Sequence, residues 1–181
     1  GTVSQLVDSA SGIHSRHSDY YIRTVRTDKK DSLYEFLKEK GVSVEDEEAH
    51  PDTTAVFSFP IKSPKGSITR NDRTAIEELE TWLTYQRHWC EHKPSVTINV
   101  RDSEWLEVAA WVYKHFDEIS GISFLPHSDH SYVQAPYQEC TKEEYQELLK
   151  KTPVINFEDL IEDDDMTVAS QTLACTGGSC E

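Results

Sequence analysis

Two cysteines separated by four small residues, Cys175-Thr-Gly-Gly-Ser-Cys180, stand at the end of the 181-residue sequence and are the side chains best suited to chemistry. The glycines between them permit a tight turn, so a disulfide can close with little strain. As a structural staple it would do nothing, because the loop it closes is tiny. Zinc would want two further ligands, and none lies nearby in the sequence. Exchange fits better: one thiolate attacks a disulfide elsewhere, and its neighbour resolves the mixed intermediate. An incidental pair is the competing reading. Cys90 and Cys140 each stand alone in ordinary segments.

Three other groupings invite chemistry. The opening Gly1-Thr2-Val3-Ser4 leads into a predicted helix, where free N–H groups and the helix dipole suit a phosphate. Small residues let oxygens approach, and the Thr2 and Ser4 hydroxyls add donors. A plain Ser or Thr N-cap explains the same pattern. His88-x-x-Glu91-His92 matches the inverted zincin spacing, with two imidazoles for zinc and a carboxylate as base. It falls at the end of a predicted helix, where histidine is favoured by the dipole alone. His127, Asp129 and His130 share a proline-bracketed loop; the alternative to a metal site is a polar loop whose groups satisfy each other or water.

These residues need elements to position them. Alternation predicts strands over Asp19–Arg26 and Thr54–Pro60. A short helix is expected over Ser32–Lys40, closed by Gly41. The longest helix is predicted from Asp72 to His92, with Ile76, Leu79, Trp82, Leu83 and Trp89 on broad apolar faces and Pro94 ending it. A strand over 95–100 follows, then an amphipathic helix over 104–118 with Trp105, Val108, Ala109, Val112 and Phe116 on its stripe. Ile122–Leu125 reads as a further strand, and Thr141-x-x-Glu144 is a capping box opening a helix to Lys151. Helix and strand alternate through the middle, which predicts α/β packing with neighbouring parallel strands. After Asp165 the periodicity stops, so the end is expected to be a mobile tail.

Composition bounds the partners. A formal net charge of −15 argues against a nucleic-acid surface, which needs clustered Lys and Arg. Apolar runs such as Trp105 to Tyr113 are broken well short of the ~20 residues that span a bilayer. The N-terminus lacks a basic region followed by an apolar one, so no signal peptide is expected. With 28% charged and 36% hydrophobic residues the chain reads as globular, and a cytoplasmic setting is expected.

Several stretches together resemble class II, adenosylcobalamin-dependent ribonucleotide reductases, in particular the monomeric ribonucleoside-triphosphate-reducing type, including phage versions. They are GTVSQLVDSASGIHSRHSDYYIRTVR, TAVFSFPIKSP, WLTYQRHWCEHKPSVTINV, AAWVYKHFDEISGISFLPHSDHSYVQAPYQEC and the terminal CTGGSC, spread from residue 1 to residue 180. The resemblance implies a ten-stranded α/β barrel, of which residues 1–161 would be the C-terminal part and residues 162–181 a flexible redox tail. It implies that Gly1, Thr2, Val3 and Ser4 hold the substrate's phosphates. It also implies that Cys175 and Cys180 reduce an active-site disulfide and are themselves reduced by thioredoxin. Its reaction is reduction of the ribose 2′-hydroxyl of a ribonucleotide, a triphosphate on this resemblance, supplying deoxyribonucleotides for DNA synthesis.

One departure shapes the expectation. The family generates its thiyl radical on a cysteine in an Asn-x-Cys-x-Glu motif, and the sequence holds no such motif. The family's reducing cysteines and cobalamin-binding part also lie earlier in its sequence, and Gly1 falls inside the phosphate loop. The chain is therefore expected to act only with an upstream fragment, as one piece of a split reductase in the cytoplasm (the host's, for a phage protein). Two other readings stand beside it: a zinc hydrolase using His88, Glu91 and His92, and a non-catalytic redox or interaction module.

Overall fold

The computed structural model describes residue 4 and residues 8–127 and 133–161, together with the backbone of 175–176 and 179–180. In chain order the strands are β1 (Tyr20–Asp28), β2 (Val44–Asp46), β3 (Thr54–Lys62), β4 (Thr97–Val100), β5 (Ser123–Pro126), β6 (Tyr137–Glu139), β7 (Cys175–Thr176) and β8 (Ser179–Cys180). The helices are α1 (Ser32–Glu39), α2 (Ala75–His88), α3 (Trp105–Lys114) and α4 (Lys142–Lys151), with 3₁₀ turns at Phe116–Glu118 and Phe157–Asp159. The chain divides into two compact units. One comprises Gly1–Asp19 with Ser63–His130, the other Tyr20–Lys62 with Ser131–Glu181.

In the first unit, β4 and β5 pair in parallel, Thr97 opposite Ser123 and Val100 opposite Pro126. Their crossover is α3, as the helix–strand alternation predicts. The core joins Leu79, Trp82 and Leu83 of α2 to Ile98 and Val100 of β4 and to Val108 and Trp111 of α3. Polar atoms drawn into that core are matched. The Trp82 indole N–H donates to the Pro94 carbonyl at 2.9 Å, and that of Trp111 donates to Glu80 at 2.6 Å.

Helix α2 starts on a reciprocal capping box between Thr74 and Glu77. Its first N–H, on Ala75, donates to the buried carboxylate of Glu104 at 3.1 Å. The helix stops at His88, short of the predicted His92. Trp89 leaves helical geometry at φ −130°, and both its N–H and that of Cys90 turn back onto the Tyr85 carbonyl. The chain then folds back along the helix, with Gln86 donating to the His92 carbonyl and Trp82 to that of Pro94. Trp89 consequently lies outside, 82% exposed, where the sequence pattern had it on an apolar face. Helix α3 differs likewise: Val108 and Trp111 are buried, whereas Phe116 is exposed in the following 3₁₀ turn.

The second unit is antiparallel, in the order β2-β3-β1-β6. A nine-residue ladder runs from Tyr20 opposite Lys62 to Asp28 opposite Thr54. Tyr34 and Leu37 of α1 bury against Val42, Ala55 and Phe57. Asp31 caps α1, accepting from the Leu33 N–H at 2.9 Å. Gly41, at φ +84°, ends it in a Schellman pattern: Val42 N–H to Leu37 O and Gly41 N–H to Lys38 O, each 3.0 Å. The predicted capping box at Thr141 and Glu144 is present at the start of α4.

Among the described residues, no helix is long and apolar enough to cross a membrane.

Candidate functional site

Residues 8–16 form a sharply turned loop on the first unit. Ser4 is helical, and its carbonyl accepts from the Ser9 N–H at 2.9 Å. Asp8 lies between them at φ +50°, a conformation that non-glycine residues rarely take. Gly12, at φ +58°, reverses the chain again where a side chain would be strained. Of the predicted phosphate-loop residues Ser4 is therefore placed, and Gly1, Thr2 and Val3 lie outside the described residues.

Three side chains fasten this loop. The Arg16 guanidinium, buried, donates to the Asp8 carbonyl and, at 3.0 Å, to the Asp8 carboxylate. His14 bridges two segments: Nδ1 meets the Ser11 carbonyl, and Nε2 accepts from the Thr97 N–H at 3.2 Å. The second bond requires a lone pair on Nε2, which fixes the proton on Nδ1. Ser15 donates to Glu78 Oε1 at 3.0 Å, and the Asn99 N–H donates to Glu78 Oε2 at 3.4 Å. Burial pushes the Glu78 carboxyl above its ordinary range; the Ser15 and Asn99 bonds and the charge of Arg73 pull the other way.

Above these residues lies an open cleft of about 470 Å³, its wall including Asp8, Ser9, Ser15, Ser67, Arg73 and Tyr85. Hydroxyl and guanidinium donors beside a tight turn suit a polar, anionic ligand. Arg16, His14 and Glu78 were not singled out from the sequence. The SGIHSR stretch is polar and aperiodic, and the Ser15–Glu78 bond spans 63 positions.

The zincin arrangement does not form. With α2 ending at His88, Glu91 and His92 are off the helix, so the two imidazoles do not share a helical face. His127 bonds to Asn71 through Nε2 at 3.1 Å, whereas Asp129 and His130 lie outside the described residues. Among the described residues, no group of three or more His, Cys, Asp or Glu could hold a metal ion.

Cys175 and Cys180 face each other in register across the antiparallel β7–β8 pair. Opposed positions in such a pair are about 4.5–5.5 Å apart at Cα, within the reach of a disulfide. Cys140 is different. Burial, then the charges of Glu144 and Glu139, push its thiol upward, which leaves little thiolate for attack.

No protein-family profile matches the chain. Among curated proteins it is 33% identical over 153 residues to the adenosylcobalamin-dependent ribonucleoside-triphosphate reductase of Euglena gracilis, covering 83% of this chain and 21% of that protein. It is 31% identical over 166 residues to a probable enzyme of the same name from Dictyostelium discoideum, covering 88% and 22%. A putative one from Mycobacterium phage D29 is 27% identical over 168 residues, covering 81% and 24%. A solved structure of a B12-dependent (class II) ribonucleotide reductase superimposes with a TM-score of 0.72 at 26% identity, over 88% of this chain and 23% of that one. The chain thus spans about a fifth of the length of the curated relatives it matches, and within that span it belongs to the adenosylcobalamin-dependent, class II ribonucleotide reductase family.

Proposed function

We propose that this chain is the C-terminal portion of a class II ribonucleotide reductase, contributing the substrate-phosphate loop and the thioredoxin-reducible cysteine pair. The observation that carries the proposal is the agreement of backbone and sequence with a class II reductase over 88% of the chain. On this reading Gly1, Thr2, Val3 and Ser4 contact the phosphates of a ribonucleoside triphosphate, with residues 1–161 as part of the barrel wall and residues 162–181 as the redox tail.

Catalysis needs the upstream part as well, because the sequence lacks the Asn-x-Cys-x-Glu motif on which the family's radical resides. The cofactor belongs there too. The cleft on this chain is open, and its wall mixes Asp8, Ser9, His14, Ser15, Arg16 and Arg73 with Ile13, Pro64, Ile68 and Tyr85, so it is not the broad apolar wall that a corrin ring wants. These residues do not fit adenosylcobalamin. What this portion would do is hold the phosphates, orient the ribose through them, and return electrons through Cys175 and Cys180. Each product needs two electrons: the terminal dithiol becomes a disulfide as it reduces the active-site disulfide, and thioredoxin restores it. The setting is the cytoplasm, that of the host if the gene is a phage's.

The test is reconstitution. The chain is combined with the upstream part of a class II reductase, and deoxyribonucleotide formation is measured with adenosylcobalamin and thioredoxin. Activity in the mixture and in neither part alone is the expected result. Failure of the two parts to associate or to reduce any ribonucleotide would overturn the proposal and favour a stand-alone redox or interaction module.

A further inference from the structure

We propose that the outward face of α3, carrying Leu106, Ala109, Ala110 and Tyr113, is a docking surface for an α-helix of the upstream part of the reductase. The inference rests on the reading above that such a part completes this chain.

Helix α3 carries two apolar stripes. Val108, Trp111 and Val112 form the first: Val108 and Trp111 are buried in the core of the first unit, and Val112 packs beside them. Leu106, Ala109, Ala110 and Tyr113 repeat at i, i+3, i+4 and i+7, so they share a face as well. The stripes start two residues apart, about 200° around a helix, which sets them on opposite sides. Leu106 is 87% exposed and Tyr113 86%, and both alanines between them are exposed. The charged residues of the helix are Glu107 and Lys114, and their seven-residue spacing confines them to one narrow stripe.

A helix with so little polar surface is of the kind found buried. Single exposed apolar side chains are ordinary, but a continuous stripe of them marks an interface. The shape of the stripe selects the kind of partner. Two alanines flanked by a leucine and a tyrosine leave a shallow groove, into which the ridge of another helix packs. The surface is also fixed in advance, because α3 is anchored from its other side by Val108 and by the Trp111 indole bond to Glu80 at 2.6 Å. Docking therefore orders little that is not already ordered.

Two occupants compete for the groove. A second copy would bring a further formal charge of −15, and two proteins of like charge and this size repel. The upstream part fits better. The chain spans about a fifth of the length of the relatives it matches, so most of a reductase remains to supply the helix.

The experiment measures, by titration calorimetry without turnover, the Kd between the full chain and the upstream part used for reconstitution. It compares wild type with Ala110→Glu, Leu106→Gln and Tyr113→Gln, with Leu106→Met and Glu107→Gln as controls. Each chain is also melted and sedimented alone. Ala110→Glu places a charge in the groove and should weaken association more than about tenfold. Leu106→Gln and Tyr113→Gln should each weaken it roughly tenfold through lost apolar burial. Leu106→Met keeps that burial, and Glu107→Gln lies on the polar stripe, so both should stay within about twofold. All the isolated chains should be monomeric and melt together, since the substituted positions are exposed. Equal Kd for wild type and the three face variants overturns the docking surface and leaves the proposed function standing. Failure of the wild-type chain to associate overturns the proposed function and the surface with it. Face variants that melt lower alone would show the stripe covered within this chain. A wild-type dimer made monomeric by Ala110→Glu would show a second copy there. Either result overturns the inference.

Discussion

Replacing Glu104 by alanine should cost the first unit about 3 kcal/mol, and the geometry shows where the loss arises. Its carboxylate, buried in the structure, accepts from the Ala75 N–H at 3.1 Å and from the Arg101 N–H at 2.8 Å, with the Arg101 guanidinium at 3.4 Å. Ala75 supplies the first N–H of α2 and has no partner within its own helix. Truncation strands two main-chain donors, each worth roughly 1–3 kcal/mol if left unpaired. It also removes a negative charge from the positive end of α2, worth about 0.3–1 kcal/mol. Water reaching the vacated space offsets part of this, which brings the sum to about 3 kcal/mol. For a protein of this length that lowers the melting temperature by roughly 6–12 °C. Glu104→Gln keeps an acceptor for one donor and should lose about half as much. Thermal and urea unfolding, followed by circular dichroism, measure both. A cost below about 1 kcal/mol for the alanine variant, a typical surface value, would refute the assignment of Glu104 as the anchor between α2 and the turn before α3.

Glu78 and Glu118 should move stability in opposite senses with pH. The Glu78 carboxyl, raised by burial above its ordinary 4.5, binds its proton more tightly folded than unfolded, so stability should fall as pH rises from 4.5 through the folded value; Glu78→Gln should flatten that slope in melting experiments. Glu118, held at about 2 by the Arg87 fork and then by His115, contributes stability above pH 4.5 that should vanish as pH falls toward 2. The same contribution should shrink in 1 M salt, since the pair is exposed, and a salt-independent melting difference between wild type and Glu118→Gln would contradict this. Replacing Cys175 or Cys180 by serine should stop multiple turnover with thioredoxin in the reconstituted enzyme while leaving one turnover from the pre-reduced state. Normal turnover by the double variant would remove the tail from the electron path.

The sequence was legible where the signal was local. The Thr141–Glu144 box and the Gly41 stop depend on neighbours a few positions away, and both are present. The parallel β4–β5 pair followed from helix–strand alternation. What escaped were elements whose stability is borrowed. Strands β2 and β6 are three residues each, too short for a periodicity, and they exist by pairing with β3 and β1. The antiparallel sheet of the second unit therefore left little trace beyond two alternating runs. Amphipathicity also overstated burial: Trp89 and Phe116 fit their apolar stripes but follow the points where α2 and α3 end, so the stripe no longer turns them inward.

The candidate site shows the same division more sharply. Ser4 and the two terminal cysteines, the proposed phosphate contact and the proposed electron shuttle, could be singled out because their chemistry is carried by residue type and local spacing. The residues that hold the loop were not, because their roles come from long-range placement. Glu78 reads as one more acid in the first turn of α2, until Ser15 and Asn99 converge on it. Arg16 reads as a surface cation, until its main chain is found bridged to Thr69 and its side chain buried. The cysteines separate on the same principle. A thiol becomes a shuttle when thiolate is available and the partner is within reach. Cys140 is disfavoured by burial and by Glu144 and Glu139, and its main chain is pinned to Tyr20 at 3.1 Å. Cys175 and Cys180 meet the second condition through their backbone register alone. On the proposed reading, the packing around Cys140 favours exchange at the terminal pair, as does the motif around Cys175 and Cys180.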